Sequence, residues 1–134
     1  MKRMKRILLV DDEPMILRVM GRSLEKLGYQ VDVAINGEDA LVKIAANCPD
    51  VMVTDIEMPR MSGKELCTHL QETMPNRIFP IFVSTSLTSL QHREWTKNIS
   101  NLVFLEKPIS IRKLRTAVSE LFDSDAVATA EHGR

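Results

Sequence analysis

The stretch Val51-Met52-Val53-Thr54-Asp55 decides how this chain reads: an apolar, β-branched run ends there on a carboxylate and passes at once into Ile56-Glu57-Met58-Pro59. Bounded by Pro49 and Pro59, so short a run reads as a buried strand. Asp55 is thereby delivered to the strand's carboxyl end. In open α/β sheets ligands sit in the crevice beyond those ends, so an acid carried there by a central strand is a candidate site residue. From this stretch alone, an acid that merely caps the following turn would look the same.

Working outward, Ile7-Leu8-Leu9-Val10 is a second continuous apolar run ending in acid, at Asp11-Asp12. Pro14 suits the first turn of a helix whose apolar face is Ile16, Val19, Met20, Leu24 and Leu27, closed by Gly28. Gln30 to Ala34, with Val31 and Val33 alternating against polar neighbours, reads as an edge-like strand. Asn36 caps the next helix, with Ala40, Leu41, Ile44 and Cys48 along its buried stripe, and Pro49 stops it.

Beyond the central strand, Ser62-Gly63-Lys64-Glu65 has capping-box spacing and starts a helix that buries Leu66, Leu70 and Met74 before Pro75. Ile78 to Val83 is the fourth strand, passing into Ser84-Thr85-Ser86. A weaker helix is expected over Thr88 to Lys97, where Leu90 and Trp95 supply little apolar face. Leu102 to Leu105 is the fifth strand, running into Glu106-Lys107-Pro108. Ser110 caps a last helix with Ile111, Leu114, Val118, Leu121 and Phe122 facing in. Five strands alternating with five helices predict an α/β doubly wound, five-stranded parallel sheet with helices on both faces, because parallel strands require crossovers. Residues 123–134 lack an apolar stripe and are expected to be a disordered tail.

At 134 residues the chain is long enough for one domain with a single core. Lys and Arg number 18 against 18 Asp and Glu, so no net charge draws the protein toward nucleic acid or an anionic membrane. Cys48 and Cys67 lack C-x-x-C spacing and read as buried free thiols on two helices, in a reducing compartment. Met1 to Arg6 is basic, but only Ile7 to Val10 follow before Asp11, too short for a signal core or a membrane span. A cytoplasmic location is expected.

The carboxyl ends of the strands carry Asp11 and Asp12, Asp55, Thr85 and Lys107, and these polar groups converge on one edge of the sheet. Three clustered carboxylates repel one another and call for a cation. With hard oxygen ligands and no nearby His or Cys, that cation is Mg²⁺ rather than zinc. A lysine and a hydroxyl facing it suit a group with several anionic oxygens, such as phosphoryl.

Asp11-Asp12, Asp55 followed by Met58-Pro59 and Gly63, Thr85, Lys107-Pro108 and the Asn36-Gly37-Glu38-Asp39-Ala40-Leu41 segment together resemble the receiver domain of two-component response regulators, over residues 5–122. The flavodoxin-like (CheY-like) strand order is taken from that resemblance. It implies that Asp55 is the phosphoacceptor, taking a phosphoryl group from a sensor histidine kinase or histidine phosphotransfer protein as an acyl phosphate. It further implies a Mg²⁺ site of Asp11, Asp12, Asp55 and the Glu57 backbone carbonyl, with Lys107 and Thr85 taking phosphoryl oxygens. Thr85 and Phe104 occupy the family's switch positions, coupling the site to the surface of the fourth helix, fifth strand and fifth helix, where an unidentified protein target would bind. Glu57 and Leu87 would border the path of hydrolytic water. The resemblance also implies a cis Lys107-Pro108 peptide.

Two positions depart from the family pattern. Ile99-Ser100-Asn101 replaces the usual Gly-Ala turn before the fifth strand, and Leu87 is apolar where many relatives carry a polar side chain. No output domain is expected after Phe122, so the chain reads as a stand-alone monomeric receiver that is not a turnover enzyme, although a receiver cut from a longer regulator would look the same. A flavodoxin-like cofactor binder is disfavoured because Asp11-Asp12-Glu13 would repel a phosphate after the first strand. A phosphatase would use an acid two residues past its nucleophile, where Glu57 stands, but the chain lacks a cap domain. A pseudo-receiver acting only as a docking module is disfavoured because no site residue is missing. His69, His92 and His132 lack ligand spacing and read as surface residues. Arg112, Lys113 and Arg115 read as a solvated face, and no direct nucleic-acid contact is expected.

Overall fold

The structure is a computed structural model that describes residues 4–85, 94–107 and 109–132, with side chains to Asp123. Strands β1 (Arg6–Val10), β2 (Gln30–Ala34), β3 (Val51–Asp55), β4 (Ile81–Thr85) and β5 (Leu102–Glu106) form one parallel sheet in the order β2-β1-β3-β4-β5. The central strand is β3, and β2 lies at an edge as its alternation predicts. Helices α1 (Pro14–Lys26), α2 (Gly37–Ala46) and α3 (Gly63–Thr73) join successive strands, α4 (Ile111–His132) follows β5, and all four cover the sheet.

Successive strand residues point to opposite faces, and each face meets its own helix layer. Ile7, Leu9, Val51, Val53 and Phe82 pack with Leu17 and Leu24 of α1 and Leu114, Val118 and Phe122 of α4. Leu8, Val10, Met52, Ile81 and Val83 face the other way, toward Ala40 and Ile44 of α2 and Leu66, Cys67 and Leu70 of α3. Two covered faces explain why the inner strands are apolar without a break. Among the described residues, no helix is long and apolar enough to cross a membrane.

Local signals set the helix starts. The Asn36 side chain accepts from the Asp39 N–H at 2.8 Å, and Ser62 with Glu65 forms the complete capping box. Packing corrects other expectations. The buried stripe of α1 is Leu17, Gly21 and Leu24, whereas Val19 and Leu27 are exposed. Apolar residues occur around much of this helix, so contact with β1 and β2 selects the stripe. Cys48 lies beyond the end of α2 and is exposed, so only Cys67 matches the expected buried thiol, and burial pushes its pKa up to about 12. The fourth strand begins at Ile81 rather than Ile78, which is 89% exposed, because Pro80 has no N–H to contribute to a ladder.

Residues 94–96 are helical; the rest of the expected fourth helix up to residue 93, with Leu87, lies outside the described residues. The backbone of α4 stays helical to His132, past the apolar stripe that ends at Phe122 and through the tail expected from composition.

The unusual turn before β5 is accommodated by two devices. Asn101 takes a left-handed conformation with φ of 54°, the geometry glycine would supply. The Gln71 Oε1 accepts from the Ser100 N–H at 3.0 Å, the Ser100 hydroxyl at 3.2 Å and Arg77 Nη1 at 3.1 Å, and Arg77 Nη2 donates to the Ser100 carbonyl. The turn is thus held from the end of α3.

Candidate functional site

Asp55 is the last residue of β3, at the carboxyl end of the central strand, and is 8% exposed. Its Oδ1 accepts from the Ile56 N–H at 2.8 Å and pairs with Lys107 Nζ, also at 2.8 Å. Lys107 follows β5, and its backbone N–H donates to the Thr85 carbonyl at 2.8 Å. That bond carries the β4 to β5 pairing one step further and aims the lysine back across the sheet edge.

Asp11 follows β1. Its N–H donates to the Ala34 carbonyl at 3.0 Å, and its Oδ1 accepts from the Glu13 N–H at 2.9 Å. Asp11, Asp12 and Asp55 each bring a carboxylate oxygen to within 4.8 Å of the others. Burial raises the Asp11 pKa above the ordinary carboxylate value; the Glu13 N–H opposes this, the Asp55 and Asp12 charges add to it, and Lys107 opposes it. Three carboxylates thus converge beside Lys107. Three converging hard oxygen donors, without His or Cys among them, fit a Mg²⁺-like ion and do not fit a soft-metal site.

The loop from Ile56 to Ser62 turns tightly above the strand end. The Gly63 N–H donates to the Ile56 carbonyl at 2.8 Å, and a Cβ on Gly63 would collide with the Asp55 carbonyl oxygen. Glycine is required there for close approach rather than for an unusual φ. Glu57 lies in this loop with its side chain exposed. Beside Asp55, a cavity of about 270 Å³ has Leu9, Leu17 and Val53 as apolar walls, with Asp11, Asp55 and Lys107 among its polar lining.

Of the residues singled out from the sequence, Asp11, Asp12, Asp55 and Lys107 come together. Thr85 is buried at the end of β4, next to them through its carbonyl. Phe104 lies on edge strand β5 and is 39% exposed, beside Val103 at 49%. Leu87 and Pro108, with the expected peptide geometry at the latter, lie outside the described residues.

A family model described as the response regulator receiver domain matches residues 7–119. The chain belongs to that family. This receiver domain is 37% identical over 109 residues to the response regulator MprA of Mycobacterium avium (strain 104), covering 81% of this chain and 47% of MprA. A mycobacterial MprA from Mycobacterium sp. (strain KMS) is 38% identical over the same length, with 46% of its own chain covered. The receiver chain thus spans about half the length of the curated relatives it matches. Among solved structures, a CheY-like receiver domain protein from Methanospirillum hungatei JF-1 superposes with a TM-score of 0.81 at 28% identity, covering 94% of this chain and 99% of its own. The Vibrio cholerae chemotaxis protein CheY4 gives a TM-score of 0.80 at 28% identity, with 88% and 98% covered. The five-stranded parallel sheet is therefore the CheY-like, flavodoxin-like fold, and the chain is a receiver of two-component signalling.

Sequence reasoning missed the cavity beside Asp55 and the contact between Gly37 and Met61, whose carbonyl accepts from the Gly37 N–H at 3.0 Å. A glycine directly after a helix cap was the available signal for the second. For the first there was none, since its walls come from separate elements.

Proposed function

We propose that this receiver accepts a phosphoryl group on Asp55 from a sensor histidine kinase or histidine phosphotransfer protein, with Mg²⁺ bound by Asp11, Asp12, Asp55 and the Glu57 carbonyl, and thereby switches a protein-binding surface. The observation that carries this reading is the 2.8 Å pair between Lys107 Nζ and Asp55 Oδ1 beside the Asp11 and Asp12 carboxylates. A carboxylate held by a lysine and a backbone N–H is oriented as a nucleophile, and the lysine is already placed to follow charge onto an incoming phosphoryl group.

In the transfer, an Asp55 carboxylate oxygen bonds to phosphorus as the bond to the donor's imidazole nitrogen breaks, and the donor leaves as a neutral histidine after taking up a proton. Lys107 moves its pairing from Asp55 to the phosphoryl oxygens, and the Thr85 hydroxyl takes another of them. Bound Mg²⁺ would neutralise charge on those oxygens during transfer. Displacement of Thr85 toward the phosphoryl group opens space for the Phe104 ring, so the surface around the partly exposed Phe104 on β5 is where the change would be read. The shallow apolar groove lined by Met15, Ile16, Val19, Met20 and Ile109, with Met15 67% exposed, supports docking of the phosphodonor protein near the mouth of the site.

On this reading the protein is a phosphoacceptor with self-catalysed transfer and dephosphorylation, monomeric and cytoplasmic, whether it acts alone or within a longer regulator with an output domain. Intact mass spectrometry after incubation with acetyl phosphate and Mg²⁺ tests it. Wild type should gain one phosphoryl mass, Asp55→Asn should gain none, and Asp12→Asn should need more Mg²⁺. An unmodified wild type under conditions that label a control receiver would leave a pseudo-receiver, a docking module without phosphotransfer.

A further inference from the structure

We propose that Gly37 and Met61 are positioning residues for the cation site, acting from the first turn of α2 on the loop that carries Glu57. The inference rests on the Mg²⁺ site proposed for Asp11, Asp12, Asp55 and the Glu57 carbonyl.

The contact has no slack. The Gly37 N–H, a helix N-terminal donor without an intrahelical partner, donates to the Met61 carbonyl at 3.0 Å. A Cβ on Gly37 would lie 2.5 Å from Met61 Cγ, 2.8 Å from its Cβ and 2.9 Å from its carbonyl oxygen. Part of that obstruction is backbone, so any larger residue must displace the loop. Gly37 has no positive φ to explain it, which leaves close approach as the reason for glycine.

The residue before Met61 is strained as well. Arg60 is held at φ of 66°, in the left-handed region that is unfavourable for an ordinary L-residue. Its guanidinium makes an exposed pairing with Glu38 at 3.5 Å, which is worth little against that cost. The conformation delivers the Met61 carbonyl to α2, so the strained residue and the crowded glycine serve the same contact.

The same helix start is tied to the opposite side of the cation cluster. The Ile35 N–H donates to Asp39 Oδ2 at 3.1 Å, Asn36 caps Asp39, and the Ala34 carbonyl accepts from the Asp11 N–H at 3.0 Å. The start of α2 therefore braces both the Asp11 segment and the 56–62 loop. The latter is also closed on itself, by the Gly63 N–H on the Ile56 carbonyl. A divalent cation demanding near-octahedral geometry is sensitive to such outer support.

Mg²⁺ binding to the unphosphorylated protein, followed by isothermal titration calorimetry, is the test, with folding checked by circular dichroism. Gly37→Ala should weaken Mg²⁺ by about tenfold, the lower range for loss of outer-shell support. Met61→Ala, which removes the side chain beyond Cβ without crowding, should weaken it less, and it carries the test if Gly37→Ala does not fold. Gly21→Ala on α1, where a Cβ would make an ordinary 3.7 Å contact, should bind as wild type does. Folded Gly37→Ala and Met61→Ala that both bind Mg²⁺ like wild type would overturn the positioning role while leaving the cation site intact. A wild type that binds no Mg²⁺ would remove the site itself, and the inference with it.

Discussion

Lys107 Nζ lies 2.8 Å from the same Asp55 oxygen that the Ile56 N–H holds at 2.8 Å, so one carboxylate oxygen is fixed by a charge and a backbone donor at once. The lysine offsets part of the negative charge of the three acids, and on phosphorylation it would be needed on the phosphoryl group instead. The two roles predict opposite effects. Lys107→Ala should slow labelling by acetyl phosphate by about 10²-fold, as for loss of one charge-stabilising donor. It should also tighten Mg²⁺ binding, since a like charge leaves the cluster. Slower labelling with unchanged or weaker Mg²⁺ binding would leave the phosphoryl role and remove the cation-substituting one, and unchanged labelling would remove the phosphoryl role.

Asp11 predicts the behaviour of the metal-free protein. Burial first, with the Asp55 and Asp12 charges, raises its pKa above the ordinary 3.8 despite the Glu13 N–H and Lys107. A carboxyl group that binds its proton more tightly folded than unfolded adds stability that is full below the unfolded value and lost as pH rises through the folded one. At neutral pH the ionised group is therefore a cost. Asp11→Asn should melt higher than wild type without Mg²⁺ at pH 7, and the gap should narrow as pH falls toward 4. Added Mg²⁺ should stabilise wild type more than the variant. A lower melting temperature for Asp11→Asn at pH 7 would contradict this.

The turn at Asn101 makes a prediction about the fold alone. Glycine tolerates φ of 54° freely and alanine does not. Asn101→Gly should leave the urea midpoint near wild type, whereas Asn101→Ala should cost about 1 kcal/mol. Equal midpoints for the two variants would place the turn's stability wholly in the Gln71, Arg77 and Ser100 network.

The signal lifetime is predicted from the sequence, since Leu87 lies outside the described residues. An apolar side chain bordering the approach of water cannot orient it and excludes it by bulk. Dephosphorylation should accelerate about tenfold in Leu87→Asn or Leu87→Lys, a change of about 1.4 kcal/mol in barrier. Phosphate loss followed by mass spectrometry after removal of the donor measures this. Unaltered decay in both variants would shift attention to Glu57.

What the sequence determined by itself was whatever short-range pattern encodes. The run from Val51 to Asp55 marked the central strand and its terminal acid, Asn36 and Ser62 with Glu65 marked helix starts, and the alternation of Val31 and Val33 marked the edge strand. Each signal depends on residues within about one helical turn or one pleat of each other. Tertiary structure decided which stripe of α1 is buried, because apolar residues surround much of that helix and only the sheet selects Leu17 and Leu24 over Val19 and Leu27. It also exposed Cys48, built the cavity beside Asp55, and set Gly37 against Met61 and Gly63 against the Asp55 carbonyl. In those cases the deciding contact joins residues from separate elements. No local periodicity carries it, and only close packing reveals that a hydrogen atom is all the space allows.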